Sequence, residues 1–245
     1  MSYTLPTLLE MLQAGMHFGH RTSRWHPKME PYIFTEKNGI HIINLEKTAE
    51  LLAKALGFVR DTVAAGGTVV LVGTKDQAKE YIARAGIETG MPYVNRRWLG
   101  GTFTNFRMLK ENLLGQYLDL KGKKERGELG KYTKKEQLEF TNKIADMEKK
   151  IGGISSLNKL PEAVFILDIR KEVTAFTEAK ETGVPIVAVC DSNVNPDGVA
   201  YPIPSNDDAV KTIELLVTLV TEAIKEGKKL YADSPAASPV QVGQA

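Results

Sequence analysis

Three runs in this chain are apolar throughout and too short to be anything but covered strands: Val69–Val72, Ala163–Leu167 and Pro185–Val189. A strand with one wet face alternates apolar and polar residues; a run without alternation has to be buried on both faces. Between these runs the period changes to that of a helix. Leu51, Leu52, Ala55 and Val59 share one face of a helix from about Glu46 to Ala64, which Gly66-Gly67 ends. Further helices are predicted near Asp76–Gly86, Glu172–Glu181 and Asp207–Lys225, the last opened by Ser205 and Asp208 at capping-box spacing. Tyr93-Val94 and Val199–Ile203 supply two more short strands. Strand and helix in this rhythm predict a doubly wound, mostly parallel α/β sheet of the flavodoxin-like or Rossmann-like kind.

Two regions stand outside that rhythm. Near the N-terminus, Leu5, Leu8, Leu9 and Leu12 have helical spacing with Gly15 as a stop, and Tyr32–Phe34 and Ile40–Ile43 flank the turn pair Asn38-Gly39, which predicts a β-hairpin. From Asn105 to about Lys150 the chain is charged and helical. Phe106, Leu109, Leu113 and Tyr117 mark one stripe; Leu138, Ile144, Met147 and Ile151 mark another. Lys121–Gly127, poor in helix formers, separates them, so an antiparallel coiled-coil helical hairpin is expected. The domain reading is an α/β globular domain from 1–104 and 152–230, a hairpin insertion over 105–151, and a disordered tail over 231–245.

Function classes narrow quickly. No apolar run is long enough to span a bilayer, and no secretory signal is read at the N-terminus. The single cysteine, Cys190, gives no disulfide framework and fits a reducing cytoplasm. Net charge is only +2, but residues 1–157 hold 24 Lys and Arg against 17 Asp and Glu, while residues 158–245 hold 8 against 13. The basic excess coincides with two acid-free segments, His17–Lys28 and Asn95–Arg107, each carrying a tryptophan directly after an arginine (Trp25, Trp98). Guanidinium forks pair with phosphates, and flat rings stack on bases or pack as core, so RNA is the expected partner. Arg21, Arg24, Lys28, Arg96, Arg97 and Arg107 are the candidate phosphate contacts on the body. Lys121, Lys123, Lys124 and Arg126 are the candidates at the hairpin tip.

Competing chemistries have weaker support. Val72-Gly73-Thr74-Lys75 follows a strand but lacks the spaced glycines of a dinucleotide loop and the Gly-Lys-Ser/Thr of a P-loop, so it reads as a plain strand-to-helix turn. Asp191–Gly198 has Pro196 where a calcium loop needs glycine and no closing glutamate. His17 and His20 could share a metal with an aspartate such as Asp191, but two close histidines make only half a zinc site, so no metal is expected and no cofactor or small-molecule substrate is called for. Cys190 has no accompanying base motif. An α/β nucleotide- or metal-binding enzyme or sensor remains the alternative, and a protein-docking platform a third reading.

Several linked motifs then occur in one order: His17-Phe18-Gly19-His20, Trp25 to Phe34, Val72-Gly73-Thr74-Lys75, Arg97–Thr102, Asp191-Ser192-Asn193 and Tyr201–Ala209. From Leu8 to about Lys228 the chain resembles the bacterial small-subunit ribosomal proteins of universal family two. It departs from the family at His26, where asparagine is commoner, and at Asn44, where aspartate is usual. The resemblance implies an α/β domain with a coiled-coil insertion, seated on the solvent side between head and body of the small subunit and joining late in assembly. It also implies a cytoplasmic, non-enzymatic structural role: binding small-subunit rRNA, touching neighbouring small-subunit proteins, and helping to recruit the first ribosomal protein, which captures messenger RNA.

Overall fold

The computed structural model describes residues 4–234. Helix α1 (Leu8–Ala14) opens with a capping box at Thr7 and ends on Gly15, whose φ of 83° only glycine adopts cheaply. Strands β1 (Phe18–Arg21), β2 (Ile33–Lys37) and β3 (Ile40–Ile43) form a small antiparallel sheet in the order β1-β3-β2. The predicted hairpin is β2–β3. Asn38 and Gly39 both take positive φ, 54° and 74°, as the tight two-residue turn requires. Strand β1 was not expected; its irregular pairing with β3, Phe18 opposite Ile42 and Arg21 opposite Ile40, leaves no clean alternation to read.

The large domain follows with α2 (Leu45–Ala64), β4 (Val69–Val72), α3 (Lys79–Thr89) and β5 (Tyr93–Val94). The inserted hairpin comes next. Helix α4 (Phe106–Met108) runs through a π-helical segment, Leu109–Leu114, into α5 (Gly115–Glu125), and α6 (Lys134–Ile151) returns. The chain closes with β6 (Ala163–Ile166), α7 (Val173–Thr182), β7 (Ile186–Cys190), β8 (Tyr201–Pro204) and α8 (Val210–Ala232). The sheet is parallel throughout, in the order β5-β4-β6-β7-β8. The order reverses between β4 and β6, as in a doubly wound fold.

Burial explains why the strands read as continuous apolar runs. Val69, Leu71, Phe165, Val187 and Val189 point into one core with α2, α3 and α8, while Val70, Val72, Val164, Ile166, Ile186 and Ala188 point into a second with α7 and the hairpin root. Each of these side chains except Ala188, which buries only a methyl, contributes about 1.5–3 kcal/mol when fully buried.

Several expectations need correction. Helix α8 starts at Val210, not Asp207, because Asn206 Oδ1 accepts the amides of Asp208 (2.7 Å) and Ala209 (2.9 Å) and holds them in a turn. It also runs to Ala232, past the residue where the tail was expected to begin; residues 235–245 lie outside the described residues. Helix α3 starts at Lys79, after a turn in which the Ala78 and Lys79 amides both bond back to the Lys75 carbonyl. In the hairpin, α5 continues through Lys121–Glu125, and the π-helical segment shifts the apolar phase by one residue. Leu114 is therefore buried and Leu113 exposed, and Leu138 is exposed as well. The two departures from the family resemblance both serve as caps: Asn44 Oδ1 accepts from Glu46 and Lys47 at the start of α2, and His26 Nδ1 accepts from the Lys28 amide at 3.3 Å.

Two buried glutamates lock loops in place. On α7, Glu178 Oε1 accepts the Gly101 amide (2.7 Å), and Oε2 accepts those of Phe103 (2.8 Å) and Thr104 (3.4 Å), fixing the chain as it enters the hairpin. Glu172 uses one oxygen, Oε1, for both the Thr74 amide (2.9 Å) and the Thr74 hydroxyl. Burial pushes the Glu172 carboxyl up, against the pull of those two bonds. A group raised in the folded state favours folding below its unfolded pKa, and that contribution is lost as pH rises through its folded pKa. Glu172→Gln keeps both bonds and removes the buried charge, so in urea unfolding it is expected to match or exceed wild type at pH 7. Glu178→Gln turns an amide NH2 towards a backbone N–H and is expected to cost about 1–3 kcal/mol. Equal losses in the two variants would contradict this geometry.

Candidate nucleic-acid interface

The carboxyl ends of the sheet strands gather an unusual density of charge. Lys75, following β4, is 16% exposed, and its Nζ lies 2.7 Å from carboxylate oxygens of Asp168, Asp207 and Asp208. Burial alone would lower its pKa; the charge of Asp207 and the hydrogen bonds to all three aspartates overcome this and hold the ammonium above the usual lysine range. Asp207 is pushed up by burial and by the neighbouring Asp168 and Asp191, more negative charge than one lysine neutralises. Burial also works against Asp208, but Lys75 and His20 hold its carboxyl below the ordinary range.

The N-terminal sheet docks on this same edge. The His20 amide donates to Ser192 Oγ (2.8 Å), the His26 amide to the Ser192 carbonyl (2.8 Å), and the Asn206 amide to the Met16 carbonyl (3.0 Å). A Cβ at Gly19 would meet Ser192 Oγ at 2.7 Å, so this approach needs glycine. His20 Nδ1 lies 3.1 Å from Asp191 Oδ1, and that bond raises the imidazole pKa against the opposing cost of burial.

Of the histidine pair weighed for a metal, only His20 reaches the acidic edge. Among the described residues His17 Nδ1 is buried without a hydrogen-bond partner, and its ring lies against Phe18 with centroids 3.9 Å apart. His20, Asp191 and Asp207 have donor atoms within 4.8 Å of one another, a set able to hold a divalent ion. An ion there would compete with Lys75 for Asp207. The Gly73-Thr74-Lys75 turn offers nothing to a phosphate: its threonine is tied to Glu172 and its lysine is surrounded by aspartates. Burial pushes the Cys190 thiol up, so it is no nucleophile.

Four arginines of the two acid-free segments behave in the opposite way. Arg21, Arg24, Arg96 and Arg97 are exposed, and among the described residues no ion pair engages them. The other candidates are paired within the chain: Lys28 with Asp197, Arg107 with Glu111 (2.9 Å), Lys121 with Glu148 (3.4 Å), Lys123 with Asp119 (2.6 Å) and Arg126 with Glu128 (2.6 Å). Lys124 is exposed and, among the described residues, makes no such pair. The tryptophans part company. Trp98 is 5% exposed, edge-on to Phe103 at 4.8 Å, whereas Trp25 is 37% exposed beside His41.

A doubly wound sheet carrying a helical insertion and a self-neutralised edge defines a structural α/β class. Comparison with known proteins places it: the chain belongs to the ribosomal protein S2 family, whose model matches residues 11–227. Small ribosomal subunit protein uS2 of Acidothermus cellulolyticus is 47% identical over 222 residues, 90% of this chain and 80% of the relative. The uS2 proteins of Corynebacterium urealyticum and Mycobacterium leprae are each 45% identical, over 95% and 92% of this chain and 86% and 81% of theirs. These relatives are ribosomal proteins, not enzymes.

Removing the central cation tests the description of the edge. Lys75→Met is expected to lower unfolding stability by about 3–5 kcal/mol, because it leaves buried carboxylates uncompensated. An unchanged urea midpoint would show that the cluster is held together by something other than this lysine.

Proposed function

We propose that the chain is a structural component of the small ribosomal subunit, working in the cytoplasm by binding small-subunit rRNA. The observation that carries this reading is the selective freedom of Arg21, Arg24, Arg96 and Arg97 in a molecule where most other candidate cations are already paired. An unpaired guanidinium gives up no internal partner when it takes a phosphate, and it brings a planar fork to it. Lys28, Arg107, Lys121, Lys123 and Arg126 exchange weak surface pairs for RNA at little cost; Lys124 needs no exchange. The exposure of Trp25 supports a stacking role on an unpaired base, while Trp98 braces the loop that carries Arg96 and Arg97.

Docking of a neighbouring protein, the first ribosomal protein included, belongs to the same proposal. It is supported by the family resemblance and by the apolar side chains left in solvent at the N-terminal end, among them Leu8, Leu9, Phe18 and Phe34, the last 71% exposed. Coordination by His20, Asp191 and Asp207 is not required for either role, and no cofactor is proposed. Against the nucleotide-enzyme alternative stands the acidic ring around Lys75, which would repel a phosphate.

Arg96→Ala with Arg97→Ala is expected to weaken incorporation into small subunits by at least about tenfold. It should also flatten the salt dependence of binding by about one unit of slope for each phosphate that is no longer neutralised. Cosedimentation through a gradient at several salt concentrations measures both. Wild-type incorporation by a correctly folded double variant would remove the arginine assignment.

A further inference from the structure

A polar cleft of about 270 Å³ lies where the returning helix of the hairpin meets the body, lined by Tyr93, Asn95, Arg96, Ala145, Lys149 and Lys150 among others. Its charge is one-sided. Arg96, Lys149 and Lys150 are exposed and, among the described residues, form no ion pair. The one carboxylate of the lining, Glu148, is taken up by the Tyr117 hydroxyl (3.2 Å) and by Lys121 (3.4 Å) across the hairpin. One cation comes from the loop after β5 and two from the last turn of α6, so the two walls belong to different parts of the chain.

Those walls are held together by Tyr93. A Cβ on Gly86 would come within 2.2 Å of its ring, and one on Gly153 within 2.3 Å of its carbonyl and 3.0 Å of its ring. Both glycines are needed for α3 and the chain leaving α6 to close on the tyrosine from two sides. The cleft is therefore a fixed feature of the body–hairpin junction.

We propose that this cleft is a phosphate clamp that seats a segment of rRNA backbone between the hairpin and the α/β body, with Arg96 on one wall and Lys149 and Lys150 on the other. The inference rests on the RNA-binding reading and adds two phosphate-binding residues and a location to it. Three free cations around a polar opening suit a phosphodiester backbone, which carries closely spaced negative charge and needs no apolar pocket. Asp146 and Glu148, just upstream, offset the charge of the two adjacent lysines in the sequence; only the fold brings them to the same cleft as Arg96.

The test uses the full chain in small subunits from which the wild-type protein has been depleted. Lys149→Ala with Lys150→Ala is expected to weaken rebinding on the order of tenfold and to flatten its salt dependence by about two units of slope, one per phosphate. In parallel, Ala145→Cys carries a tethered iron chelate that releases hydroxyl radicals into the cleft; the native Cys190 is fully buried and stays unlabelled. Cleavage of one discrete rRNA segment, together with the flattened slope, supports the clamp. Weakened rebinding with no rRNA cleavage means that a protein occupies the cleft, and the proposal fails. If the lysine pair rebinds like wild type while the Arg96 and Arg97 pair does not, the clamp falls and the broader RNA reading stands. If neither pair changes rebinding, both fall.

Discussion

The ammonium of Lys75 sits where three strand ends converge, and the arrangement of the molecule follows from how its charge is met. Asp168 leaves β6, and Asp207 and Asp208 leave β8; each brings a carboxylate oxygen to 2.7 Å from the same nitrogen. Asp191, leaving β7, joins through His20 and the Asp207 amide. In a doubly wound sheet this edge, beside the point where strand order reverses, is where a ligand phosphate usually sits. Here an internal cation and its aspartates fill that place. The result is structural: the ends of β4, β6 and β8 are cross-linked, and β1 is drawn onto them.

That internal neutralisation leaves a chain with a net charge of only +2 able to present unpaired arginines on the two loops proposed to bind RNA. The acidic surplus of the C-terminal part is largely taken up by Lys75, by Thr74 through Glu172, and by backbone amides through Glu178. Arg21, Arg24, Arg96 and Arg97, in the two acid-free segments, are left without ion-pair partners among the described residues. Under the proposed function, phosphate-binding capacity follows from which cations the fold leaves unpaired, more than from how many it has.

Much of the fold could be read from residue patterns. The runs Val69–Val72 and Ala163–Ile166 carry no alternation because successive residues face two different cores, and Asn38-Gly39 specifies its turn through two positive φ angles. The failures are equally local in origin. A π-helical turn between Leu109 and Leu114 breaks the 3.6-residue phase, so a stripe drawn through Leu113 misses the buried Leu114. The start of α8 was misplaced because Asn206, not Ser205, captures the free amides. The site was less legible than the fold. The exposed arginines stand out as acid-free composition, but the Lys75 ring, Glu178 and the Lys149–Lys150 wall join residues distant in sequence, and no local signal marks them.

The central claim is that the unpaired guanidinium groups of the two loops are the chain's anchors to RNA phosphate. A cryo-electron microscopy structure of the small subunit containing this protein tests it most directly. The account predicts the Arg96 and Arg97 guanidinium groups, and at least one of Arg21 and Arg24, within hydrogen-bond distance of rRNA phosphate oxygens, with the Lys75 ring unchanged. Arginines left in solvent or turned onto protein carboxylates, with RNA approaching elsewhere, would contradict it.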